Sequence, residues 1–166
     1  MSRIESIVER MSAARQYTQS LLDETGRDDW FRMPSGDVTH IAWQVGHMAA
    51  AEYFLALLRI RGKKEEDAQL IPEEFMSLFG RGSTPNPDES AYPAVDDIQQ
   101  VFDRVHHQAI EEVGGLSDNT LDEPVDTPHP MFSTKLGSLL FCPAHELLHA
   151  GQIGLLRRLF GNAPLR

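Results

Sequence analysis

The chain has 166 residues, 41% of them hydrophobic and 24% charged, with a formal net charge of −10. That length suits one domain, 1–166, with a core large enough to fold without disulfides, and the composition is too apolar for a disordered chain. A chain this acidic is a poor partner for phosphate backbones or anionic lipid, which excludes nucleic acid and membrane as partners. The first ten residues carry no apolar signal segment, and the most apolar stretch, 49–60, is short and interrupted by Glu52 and Arg59. A cytoplasmic protein is expected. Cys142 is the sole cysteine, so no intramolecular disulfide can form.

Ser2 is placed to cap a first helix, in which Ile4, Ile7, Val8, Met11, Ala14, Tyr17, Thr18, Leu21 and Leu22 recur at three- and four-residue spacing to about Thr25. The turn-rich Met33-Pro34-Ser35-Gly36-Asp37 separates it from a second helix. Thr39 is the expected cap there, and Ile41, Ala42, Val45, Met48, Ala49, Phe54, Leu55 and Leu58 form its stripe to about Arg61. Residues 62–93 read as a long crossover, with a charge run at 63–67 and a short helix at 72–79. Pro93 and Asp96 open a third helix, with Val95, Ile98, Val101, Phe102, Val105, Ala109, Ile110 and Val113 ahead of Gly114-Gly115. Thr134 opens a fourth, through Leu136, Leu139, Leu140, Leu147, Leu148, Ile153, Leu156 and Phe160 to Gly161. No stretch alternates as a strand would, and none repeats. The expected fold is all-α, a four-helix bundle running up-down-down-up, with the long crossover between helices two and three.

Seven histidines are unevenly placed. His145 and His149 stand four apart on helix four, so both rings leave one face about a turn apart, where they can reach one metal ion. His47 lies fourteen residues before the end of helix two, and the pair is centred thirteen after the start of helix four. At roughly 1.5 Å per residue both positions are about 20 Å deep, and they meet if the two helices are antiparallel. Gln44 and His40 share the face of His47 and are candidates to line the same cavity, although His40, near the helix start, is expected at the surface. Cys142 shares the face of His145 and His149, and a small buried thiol is its expected role. His106 and His107 are adjacent, point apart and read as exposed or boundary residues. His129, between two prolines, reads as a loop residue with no partner.

His145-Glu146-Leu147-Leu148-His149 spells HExxH, the zinc metalloprotease signature in which the glutamate is general base. The extended form would place glycine and histidine where Gln152 and Leu155 stand, and no acidic residue follows Glu146. A zincin-like hydrolase is therefore a remote alternative.

Trp43-Gln44-Val45-Gly46-His47, followed much later by His145-Glu146-x-x-His149-x-Gly151-Gln152-Ile153 and Leu155-Leu156-Arg157-Arg158, resembles the DinB/YfiT-like superfamily. The likeness extends to Leu116-Ser117-Asp118 after helix three and the terminal Gly161-Asn162-Ala163-Pro164. The resemblance implies a four-helix bundle, a divalent metal, nickel or zinc, on His47, His145 and His149, and a homodimer. It further implies a metal-dependent transferase that activates a low-molecular-weight thiol, or a non-catalytic metal-binding or stress-response module. Three imidazoles leave coordination positions open, as a working site requires. Gln152, one turn beyond His149, is a candidate to orient a ligand from outside the metal's own shell. An enzyme predicts a cleft with polar groups at the metal; a closed apolar surround would favour the module.

Overall fold

Helix α1, Arg3–Asp23, starts on a reciprocal cap: Ser2 Oγ accepts the Glu5 N–H, and the Ser2 N–H donates back to the Glu5 carboxylate at 2.7 Å. Its inward face carries Ile4, Ile7, Met11, Ala14, Thr18, Leu21 and Leu22, but also Arg15. The computed structural model describes residues 2–34 and 38–165, and only the backbone of Pro128. The turn predicted at Ser35-Gly36-Asp37 lies outside the described residues.

Helix α2, Ile41–Glu52, is capped by His40 and not by Thr39. His40 Nδ1 accepts the Trp43 N–H at 3.0 Å, while Thr39 Oγ1 accepts from the Gln44 amide at 2.8 Å. The helical path continues through a π-helical stretch, Tyr53–Leu58, and a final turn, α3, Arg59–Arg61, to Gly62 at φ 80°. A π stretch alters the backbone hydrogen-bond ladder. Here the Ser138 hydroxyl donates to the Leu55 carbonyl at 2.8 Å.

Two short helices occupy the crossover: α4, Asp67–Leu70, and α5, Glu73–Phe79. Arg61 donates twice to the Asp67 carboxylate and Tyr53 once, which fastens the crossover to the end of α3. Helix α6, Val95–Gly114, buries Ile98, Val101, Phe102, Val105, Ala109 and Val113 of the predicted stripe, with Val95 and Ile110 only partly buried. The loop after it contains what the sequence did not foretell, an antiparallel hairpin of β1, Pro124–His129, and β2, Phe132–Thr134. Pro124, Pro128 and Pro130 break the alternation by which a strand is read, and among its described side chains only Val125 and Phe132 are buried. Helix α7, Lys135–Leu159, is capped by Thr134 and runs unbroken through Pro143. Gly137 lets β2 lie close on α7, since a Cβ there would come within 2.4 Å of Phe132.

The structure is predominantly helical, with α1 packed on α6 and α7, and α2 on the same two. One core joins these four helices with α5 and the hairpin. Not every apolar residue of the predicted stripes faces it. Tyr17 of α1 is exposed, as are Leu140, Leu147 and Leu148 of α7, which carries more leucines than one face accommodates. Among the described residues, no helix is long and apolar enough to cross a membrane.

Candidate metal centre

His47 of α2 and His145 and His149 of α7 converge, one ring nitrogen from each lying within 4.8 Å of the other two. Such a group can hold one metal ion. Two of the rings, those of His47 and His149, are oriented by partners behind them. Phe79 C=O can only accept, so His47 Nδ1, 2.7 Å away, carries the proton and leaves Nε2 as a lone pair. Gln44 does the same for His149: its amide nitrogen is spent on Thr39, and its Oε1 accepts from His149 Nδ1. His149 Nε2 then faces His145 Nε2 at 3.3 Å. Fixing the tautomer through the distal nitrogen is how proteins aim imidazole ligands.

The motif on α2 acquires a residue-by-residue account. The Trp43 ring lies parallel to His47 at 4.7 Å, and Gln44, buried, holds His149. Gly46 admits Phe79: a Cβ there would come within 2.3 Å of its ring, and the Phe79 carbonyl is what holds His47. Burial is the main cause that lowers all three imidazole pKa values, to about 4 for His145 and about 3 for His149, where the neighbouring histidines add to it. At neutral pH the rings are uncharged, as ligands must be.

His47 and His145 open onto a cavity of about 500 Å³, with Phe54, Phe141 and Met76 among its walls and Arg81 and His129 as its other polar members. His129, expected to be a loop residue without partners, sits at the end of β1, with its ring stacked on Phe132 at 4.6 Å. The hairpin brings it there.

A family model of the DinB superfamily matches residues 10–153. The chain belongs to the DinB superfamily. A crystal structure of a conserved protein from Enterococcus faecalis has a similar fold, with TM-score 0.65 over 96% of this chain and 97% of that one, at 14% identity. No curated protein matches the sequence.

The other residues singled out in this DinB chain fall elsewhere. His40 is not at the surface: it is fully buried as the α2 cap, packed against Phe31 and Tyr92, and burial lowers its pKa to about 4. Cys142 is buried, as expected, but outside the histidine group, and burial first and the nearby carboxylates second push its thiol well up. Gln152 is exposed, and its side chain acts on His149 only by opposing, as the smallest contribution, the lowering of that ring's pKa. Glu146 is buried and accepts from Arg15 Nε at 2.9 Å. A carboxylate engaged in a buried ion pair is not free to act as the general base of HExxH.

Sequence reading missed the partnership behind Glu146. Arg15 of α1 also donates to Glu52 at 2.7 Å and to the Phe102 carbonyl at 2.9 Å, and lies 3.4 Å over the Phe102 ring. His106, expected to be a boundary residue, is half-buried and donates to Glu52 at 2.7 Å. The signal was present: Arg15, Glu52 and Glu146 each occupy a position on the buried face of their helix.

Proposed function

We propose that this DinB protein holds one divalent ion, nickel or zinc, on His47, His145 and His149, and transfers a group to a small-molecule thiol in the adjoining cavity. The observation that carries the reading is that a group of three neutral imidazoles, two of them aimed by Phe79 and Gln44, opens through His47 and His145 onto a cavity and is not sealed behind apolar side chains. Bound there, the ion would supply a Lewis acid that eases deprotonation of a thiol or water. The chain's own part is to fix the ring nitrogens, keep them unprotonated and exclude bulk water with Phe54, Phe141 and Met76.

A four-helix bundle with a crossover goes with this reading, as does a cytoplasmic homodimer. The exposed Leu140, Leu147, Leu155 and Leu159 of α7 are the surface a second copy would cover. Metal content by plasma mass spectrometry tests the centre. About one equivalent is expected in the wild type and none in a folded His47→Ala/His145→Ala/His149→Ala variant. Metal-free wild type after reconstitution sinks the centre. Metal without thiol consumption in any electrophile screen leaves a binding module.

A further inference from the structure

The chain has 25 acidic residues against 15 lysines and arginines, and Arg3, Arg15, Arg27, Arg32 and Arg61 all stand in ion pairs with carboxylates. The mouth of the metal cavity is different. Arg81 lines it from the loop after α5, is exposed, and makes no ion pair or hydrogen bond among the described residues. Gly80 and Gly82, the latter at φ +92°, flank it. Arg59 is close enough for the two charges to repel, and it too has no carboxylate partner among the described residues. Its guanidinium lies between the rings of Phe54, a wall of the cavity, and Phe132, at 4.7 and 5.2 Å. One nitrogen donates to the Thr127 carbonyl at 2.6 Å, whereas the buried Nε–H has no acceptor among the described residues. Both arginines act on His129, which lines the same cavity. Two uncompensated guanidinium groups in an acidic chain make a local positive field.

The walls supply the other half of a recognition site. Ala50, Ala51, Phe54, Leu55, Met76 and Phe141 give the cavity an apolar body, and about 500 Å³ is the volume of a small-molecule pocket. A guanidinium takes a carboxylate bidentately, with a charge-assisted pair of hydrogen bonds. We infer that the cavity receives a small organic acid with an aromatic or alkyl body, its carboxylate on Arg81 with Arg59 behind, and its body in front of His47 and His145. This names the substrate class of the proposed centre and rests on that reading for its catalytic meaning. The binding itself depends on the arginines and the apolar walls, not on the ion. A phosphorylated ligand suits the site less, because a dianion asks for more donors than one free guanidinium offers.

The test is calorimetric titration with 1-naphthylacetate and its uncharged amide, 1-naphthylacetamide, into zinc-reconstituted protein. The wild type should bind the acid at least about tenfold more tightly than the amide, and Arg81→Gln should bring the two within about threefold. Arg81→Lys should keep part of the preference, and neither variant should alter affinity for the amide. Because a carboxylate can also seek the ion, the titration is repeated on His149→Ala, whose ring does not line the cavity. Preference for the acid persists there if the arginines hold the anion. Equal binding of acid and amide by the wild type overturns the inference, as does a preference that survives Arg81→Gln or vanishes with the ion. Metal content of the same samples reports separately on the centre.

Discussion

Two polar clusters lie in one core, on the same helices. Arg15, Glu52, His106 and Glu146 come one from each of α1, α2, α6 and α7, and every charge meets its opposite. His47, His145 and His149 come from α2 and α7 alone; the N–H groups of His47 and His149 are directed backwards to Phe79 and Gln44, which leaves Nε2 of each as a lone pair, and His145 Nε2 lies 3.3 Å from that of His149. His145 and Glu146 are neighbours in sequence yet belong to different clusters, because successive helical residues diverge by about 100°. A buried group whose donors and acceptors balance is structure. A buried group left with surplus acceptors is a place for a cation.

The sharpest test of that distinction is stability. Arg15→Met removes the one cation between two buried carboxylates and should cost about 3–5 kcal/mol in urea unfolding, because the charges that remain are uncompensated. His149→Ala in metal-free protein should cost less than about 1 kcal/mol, since it opens space beside a cavity and strands no charge. Equal losses would erase the difference between the two clusters.

Helices and triad were legible for a common reason: both depend on periodicity. Spacing of four put His145 and His149 on one face, and depth along the helices matched His47 to them. What stayed hidden depends on partners far away in sequence. Glu52 read as an interruption in an apolar run and is instead a fully paired core residue, its partner Arg15 being 37 residues away. His129 reaches the cavity through a hairpin whose prolines mask its strands, and His40 is buried by aromatic neighbours from two loops. The Phe79 carbonyl that orients His47 is a backbone group and carries no residue-type signal at all.

Gln44→Leu sharpens the comparison from the side of the centre. Leucine preserves most of the buried volume but removes the acceptor that fixes the His149 tautomer, so zinc affinity should fall about 10–100-fold while the metal-free fold is retained. Competition titration against a chromophoric chelator measures it. An unchanged affinity would mean that the ring is aimed by packing alone.

The smallest effect separates the clusters by pH. His145 and His149 have folded pKa values of about 4 and about 3, against about 6.5 unfolded, so below pH 6.5 the unfolded chain binds more protons than the folded one. The stability these rings contribute is therefore present above pH 6.5 and lost as pH falls towards 4. The slope is less than about 1.4 kcal/mol per pH unit for each imidazole, reduced by solvent at the partly exposed rings. Glu52 works in a lower window. Burial pushes its carboxyl up, Arg15 and His106 more than offset this and hold it below the ordinary value, and its contribution is lost only as pH falls below about 4.3. Urea unfolding of metal-free protein between pH 7 and 5 should show the slope in the wild type. The triple histidine variant should keep only the share due to His40, whose pKa is also about 4, and to His129, which burial and the nearby arginines likewise lower. A full slope in that variant would place the neutral, buried imidazoles outside the energetics of folding, and their low pKa values would then say nothing about readiness for a cation.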